Sequence, residues 1–161
     1  VSGDVDGAVD GVDLVVSLLG NPGKPRKFVL IMDRAARNIV KAVLAMPESP
    51  RCLMISSVGV DGTSWFIRAM LTLIGGRKGF QNYEHAESIL REAASRPEKP
   101  LSLAIIRPYA LSDNPPSGNP KVLGPTAHFA KPISRQYVAA FFLKCITDTQ
   151  WDGPNGVNIG G

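Results

Sequence analysis

An apolar run that ends in two hydroxyls is the feature of this sequence most suited to chemistry: Cys52-Leu53-Met54-Ile55 is followed directly by Ser56-Ser57-Val58-Gly59. The run has the length and apolarity of a strand buried on both faces, as in a parallel sheet covered by helices. Its polar residues then stand at the strand's carboxyl end. In open α/β sheets that end faces the ligand crevice, so the two serines are candidates for hydrogen-bonding a bound group. A serine-rich turn that satisfies its own backbone is the alternative.

Other reactive side chains are sparse. Cys52 lies inside the apolar run and Cys145 inside a helical pattern, with neither metal-ligand spacing nor a disulfide framework. Both read as packing thiols, which suits a reducing compartment, cytoplasmic or an organellar matrix or stroma. His128 has no partner at ligand spacing, so no metal is expected. The net charge of +4 is spread over Lys24, Arg26, Lys27, Arg34, Arg37, Lys41, Arg77 and Lys78 with few aromatics between them. A nucleic-acid surface calls for a concentrated stripe, so no nucleic-acid partner is expected.

These residues need a scaffold, and 161 residues with 44% hydrophobic and 20% charged side chains are enough for one core. The longest strongly apolar runs, such as Leu101 to Ile106 and Val138 to Leu143, fall far short of the roughly 20 residues that cross a bilayer, so no transmembrane segment is predicted. "DLVVSLLG" (13 to 20) predicts a strand stopped by Gly20-Asn21-Pro22-Gly23. From Asp33, "DRAARNIVKAVLAMP" sets Ala36, Ile39, Val40, Val43 and Leu44 at helical spacing, and Pro47 closes the element. A strand follows at about 51 to 57. "NYEHAESILREAASRP" is a helix with Ala86, Ile89, Leu90 and Ala93 on one face and Asn82 as its expected N-cap. "LSLAIIRP" (101 to 108) is a further buried strand, "SDNPPSGNP" a loop, Ser134 to Asp148 an amphipathic helix, and "GVNIGG" a short terminal strand. Such alternation predicts an α/β sheet with right-handed parallel crossovers.

Taken in order, "GDVDGAVDGVDLVVSLLG", "MDRAARNIVKAV", "LMISSVGVDG", "YEHAESILREA", "LAIIRPYAL" and "PISRQYVAAFFLKCI" resemble the atypical short-chain dehydrogenase/reductase superfamily, and most of all its NmrA-like, NAD(P)H-binding branch. The resemblance covers nearly the whole chain. It implies a Rossmann-like doubly wound parallel sheet of which this is the C-terminal portion, because the family's first two strands and its GxxGxxG turn precede the segment matched by Gly3-Asp4-Val5. The chain also opens on Val1 rather than Met. The expectation is therefore a single NAD(P)-binding domain over residues 1 to 161 that is incomplete at its N-terminus.

By this resemblance Asp4 and Val5 follow the third strand, where the family's aspartate receives the adenine amino group. A strand-end turn is the alternative there. Leu18, Leu19 and Gly20 match the turn that passes under the adenine ribose, where a residue without Cβ permits close approach, unless Gly20 merely ends the strand. Ser56 falls in the same cofactor edge, and Ser57 matches the hydroxyl that bonds the substrate carbonyl in catalytic members. Tyr83 matches the acid that protonates the alkoxide. Arg107, Pro108, Tyr109 and Ala110 match the turn beside the nicotinamide, although Arg107 could instead be a structural ion pair at a buried strand end.

The tyrosine of the superfamily needs its pKa lowered by a lysine one helical turn on, and that position here is Glu87. The Tyr-x-x-x-Lys dyad is not intact. His85 is a candidate replacement acid, or an exposed residue of the same helix. Two functions follow: an NADP- or NAD-dependent reductase of a small carbonyl, quinone or related molecule, and a non-catalytic accessory, assembly or sensor subunit joined to other chains of a larger assembly.

Overall fold

The computed structural model describes residues 11–20, 31–60, 68–69, 72–73, 77–116, 120–124 and 130–161. Asp4, Val5 and His128 lie outside the described residues. In chain order the elements are β1 (Leu14–Ser17), α1 (Ile31–Ala45), β2 (Arg51–Ile55), α2 (Arg77–Ala94), β3 (Leu103–Pro108), β4 (Leu111–Ser112), β5 (Lys121–Leu123), β6 (Ile133–Ser134), α3 (Arg135–Thr147) and β7 (Val157–Gly160).

The main sheet runs β1-β2-β3-β7-β5. Its first four strands are parallel, in register through Val15 with Cys52, Met54 with Ile105 and Arg107 with Asn158, while β5 runs antiparallel to β7. Helices on both faces explain why the central strands are apolar over Cys52 to Ile55 and Leu103 to Ile106: all six residues of β3 are buried, Arg107 among them. On one face α1 and α2 cover Cys52, Met54, Leu103 and Ile105 with Met32, Ala36, Val43, Ala86, Leu90 and Ala93. On the other, α3 covers Leu53, Ala104, Ile106 and Ile159 with Val138, Phe141, Phe142 and Cys145. Alternate residues of β2 and β3 thus feed two cores, and each buried Leu or Ile contributes roughly 1.5–3 kcal/mol. This is the α/β, Rossmann-like arrangement expected from the alternation of elements.

Helix ends are held by side chains from elsewhere in the chain. Ser134 caps α3, its hydroxyl accepting from Tyr137 N–H at 3.2 Å. The carbonyls closing α3 are met by Arg51, which donates to Ile146 O (3.2 Å) and Asp148 O (3.1 Å) while its Nε pairs with Asp152 at 2.8 Å. Lys99 does the same for α1, reaching Val43 O and Leu44 O at 3.3 and 3.0 Å. Both basic side chains sit where the helix dipole is negative.

Three expectations change. The second helix begins at Arg77, so Asn82 is an interior residue and not its N-cap. Asn82 serves the neighbouring helix instead: Asp33 N–H, an amide of the first turn of α1, donates to Asn82 Oδ1 at 3.0 Å. The strand predicted to reach residue 57 ends at Ile55, leaving both serines beyond it. Finally, Ser112 pairs in the two-stranded sheet β4-β6 rather than lying wholly in a loop.

Candidate functional site

Because β1, β2 and β3 are adjacent and parallel, their carboxyl ends lie along one edge of the sheet. That edge gathers Leu18-Leu19-Gly20 after β1, Ser56-Ser57 after β2, and the end of β3 running from Arg107-Pro108 to Tyr109-Ala110. The β2–β3 ladder extends past the end of β2, with Ser56 N–H donating to Ile106 O at 2.7 Å and Val58 N–H to Pro108 O at 3.2 Å. Tyr109 N–H in turn donates to Ile159 O at 2.9 Å, which ties the third turn to β7. The second and third turns are tied down by these bonds while side chains along the edge remain accessible: Leu18, Leu19, Gly20 and Ala110 are exposed, and Ser57 and Tyr109 are half-buried.

The two serines differ sharply. Ser56 is only 4% exposed, and its hydroxyl has no hydrogen-bond partner among the described residues. A buried hydroxyl costs free energy unless something satisfies it. An unsatisfied donor at the crevice edge fits a bound ligand or water there. Ser57 is more accessible and makes only a long contact with Val58 O at 3.3 Å.

Tyr83 reaches the same edge from α2. Its ring packs against the core beneath α1 and α2, and its hydroxyl lies 3.5 Å from where a Cβ on Gly20 would stand. Tyr83 and Gly20, distant in sequence, are neighbours in space. His85, two residues on, is exposed.

The ion-pair alternative for Arg107 is present. Arg107 is 2% exposed; its Nε and Nη2 donate to the Glu87 carboxylate at 2.8 and 2.6 Å, and its Nη1 donates to Asn155 O at 2.9 Å. Glu87 also accepts from Arg91 at 2.7 Å. Gly156, at φ +67°, lies so close that a Cβ would stand 2.9 Å from Arg107 Cζ. Position 87, where the superfamily carries its lysine, is thus a carboxylate already held by two guanidinium groups. The sequence held a signal for this pair: Glu87 falls beside Ala86 and Leu90 on a buried helical face, and Arg107 in an otherwise apolar strand, so each demanded an opposite charge.

Burial pushes the Cys52 thiol up to about 12 and the Cys145 thiol up to about 11. Neither is a nucleophile at neutral pH. Among the described residues no group of three His, Cys, Asp or Glu side chains could hold a metal ion, and no helix is long and apolar enough to cross a membrane.

A family model described as NAD(P)H-binding matches residues 2–149, almost the whole sequence. The chain belongs to the NAD(P)H-binding family. Solved structures with the same fold include a short-chain dehydrogenase/reductase from Veillonella parvula, at 17% identity and TM-score 0.72 over 97% of this chain and 66% of that one. A second short-chain dehydrogenase/reductase from the same organism, solved in complex with NADP, gives 16% identity and TM-score 0.66 over 98% of this chain and 66% of that one. A candidate NADH-flavin reductase from Streptococcus pneumoniae gives 12% identity and TM-score 0.70 over 96% of this chain and 74% of that one. The chain therefore spans about two thirds to three quarters of the length of these structures. Among curated proteins no match was found.

Proposed function

We propose that the complete protein is an NADPH- or NADH-dependent reductase of the NmrA-like kind, acting on a small carbonyl, a quinone or a related acceptor. The observation that carries this reading is the convergence of the β1 turn, the serine pair and the β3 turn on one carboxyl edge, with the Tyr83 hydroxyl set against Gly20. Family membership supports the dinucleotide, and a relative solved with NADP shows that the fold accommodates that cofactor.

In this reading Leu18, Leu19 and Gly20 present backbone to the adenine ribose, with Asp4 and Val5 at the adenine. Ser56 meets a polar group of the dinucleotide, and the backbone of Arg107 to Ala110 flanks the nicotinamide. The bound nicotinamide supplies the hydride. Ser57 orients the acceptor's carbonyl oxygen by a hydrogen bond that strengthens as negative charge develops. Tyr83 contacts the ribose through its hydroxyl, and the proton comes from water, because the Glu87 carboxylate one turn on cannot supply the cation that an acidic phenol requires.

Calorimetric titration of the complete protein with NADPH and with NADH tests the reading. Binding of one or both is expected; no heat and no rise in melting temperature with either would remove it. The second reading, a non-catalytic accessory or sensor subunit in an assembly, is favoured by the commitment of Glu87 to structural ion pairs. Dinucleotide binding without turnover on aldehydes, quinones and flavins would select it.

A further inference from the structure

We infer that Asn82 and Glu87 are positioning residues that fix Tyr83 against Gly20. The inference rests on the dinucleotide-site reading for its functional consequence, but not for its geometry.

Helix α2 and helix α1 share one core in which the small side chains of Ala36, Ala86 and Ala93 are interspersed with Met32, Val43 and Leu90. Hydrophobic burial is non-directional, so it constrains the rotation and axial position of a helix less sharply than a hydrogen bond does. Hydrogen bonds are directional and do fix them. The described polar links from α2 to the rest of the molecule include two that bracket Tyr83. One residue before it, Asn82 Oδ1 accepts the Asp33 amide of α1 at 3.0 Å. About one turn after it, Glu87 accepts from Arg107 on β3 at 2.8 and 2.6 Å.

These anchors belong to different elements, so together they remove both sliding along α1 and rolling over the sheet. Arg107 is itself immobilised by Asn155 O at 2.9 Å and by the glycine at position 156, which leaves room for the guanidinium. The phenol is carried to the β1 turn by a helix pinned on both sides of it. A glutamate where the superfamily has lysine thereby keeps a role at the site without touching the ligand: it places the residue one turn earlier.

The test uses the complete protein labelled with 3-fluorotyrosine, the Tyr83 resonance being assigned with Tyr83→Phe. Asn82→Ala and Glu87→Gln should shift or broaden the Tyr83 resonance while leaving Tyr109 and Tyr137 unchanged. Leu90→Ala, a buried truncation on the same helix with no polar link, should lower the melting temperature without moving it. NADPH affinity should fall roughly three- to tenfold in Asn82→Ala and in Glu87→Gln, the range of one lost hydrogen bond. In a Tyr83→Phe background the same changes should add nothing, because coupled residues give non-additive cycles. An unmoved Tyr83 resonance in both variants, or equal affinity losses in both backgrounds, overturns the inference. A moved resonance in a protein that binds neither dinucleotide upholds the positioning and overturns the dinucleotide reading instead.

Discussion

Glu87 and Arg107 form a fully enclosed ion pair, with Nε and Nη2 of the guanidinium donating to the two carboxylate oxygens at 2.8 and 2.6 Å and side-chain exposures of 1% and 3%. It joins the second helix to the central strand directly beneath the candidate site. A buried pair of this kind adds little net stability over a well-packed apolar pair, yet it is costly to break, because the surviving partner is left charged and dry.

Glu87→Ala is accordingly expected to lower unfolding free energy by about 3–5 kcal/mol. Glu87→Lys should be worse, since it places an ammonium against Arg107 and Arg91 instead of restoring a tyrosine–lysine dyad. Urea denaturation of the complete protein measures both. A Glu87→Lys variant as stable as the parent would mean that the pair is not formed.

The two serines should separate stability from chemistry. Removing the Ser56 hydroxyl breaks no hydrogen bond among the described residues, so Ser56→Ala should leave the ligand-free melting temperature unchanged or raised while weakening dinucleotide binding. Ser57→Ala should leave that affinity nearly intact and lower kcat toward the roughly hundredfold loss typical of a removed transition-state donor. Loss of affinity in Ser57→Ala with none in Ser56→Ala would reverse the assignment.

Gly20 and Gly156 are constrained for different reasons. At Gly156 the positive φ and the 2.9 Å approach of Arg107 both oppose a side chain, and Gly156→Ala should destabilise by more than about 1 kcal/mol. A Cβ at Gly20 would meet the Tyr83 hydroxyl only at 3.5 Å, an ordinary contact. Gly20→Ala should therefore melt like the parent, whereas Gly20→Val should lose the rise in melting temperature that NADPH produces. Differential scanning fluorimetry with and without NADPH distinguishes them.

The buried thiols predict an alkaline weakening. Cys52 is raised from about 9 to about 12 by desolvation, so the folded state binds its proton more tightly than the unfolded state does. That contribution is fully present below about pH 9 and is lost as pH rises from there toward about 12. Stability of the parent should decline over this window more steeply than that of Cys52→Val. Rapid reaction of both cysteines with a thiol reagent at pH 8 in the folded protein would contradict their burial.

What the sequence determined by itself is local. Leu53-Met54-Ile55 and Leu103 to Ile106 are apolar without interruption because a strand covered on both faces has no wet side, so their strand character and burial were readable directly. Ser134 was readable as the residue opening α3, since a serine ahead of an apolar helical pattern satisfies a free amide wherever the helix lies. The serine pair could be placed at a crevice edge for the same reason: in a parallel sheet the polar residue after a buried strand has one end to occupy.

Tertiary structure decided everything that required a partner far along the chain. Asn82 has the chemistry of an N-cap and acts as one, but for α1 rather than its own helix, because an amide of α1 comes to it only after the helices pack. Arg107 was legible either as a ligand contact or as half of an ion pair; proximity to Glu87, created by laying α2 over β3, selected the pair. The antiparallel β5 carries too short a pattern for periodicity to register, and its pairing with β7 is made by backbone groups that every residue possesses. The meeting of Tyr83 with Gly20 has no trace in spacing. It follows from how far a helix slides along its neighbour before hydrogen bonds stop it, and that distance is a property of packing.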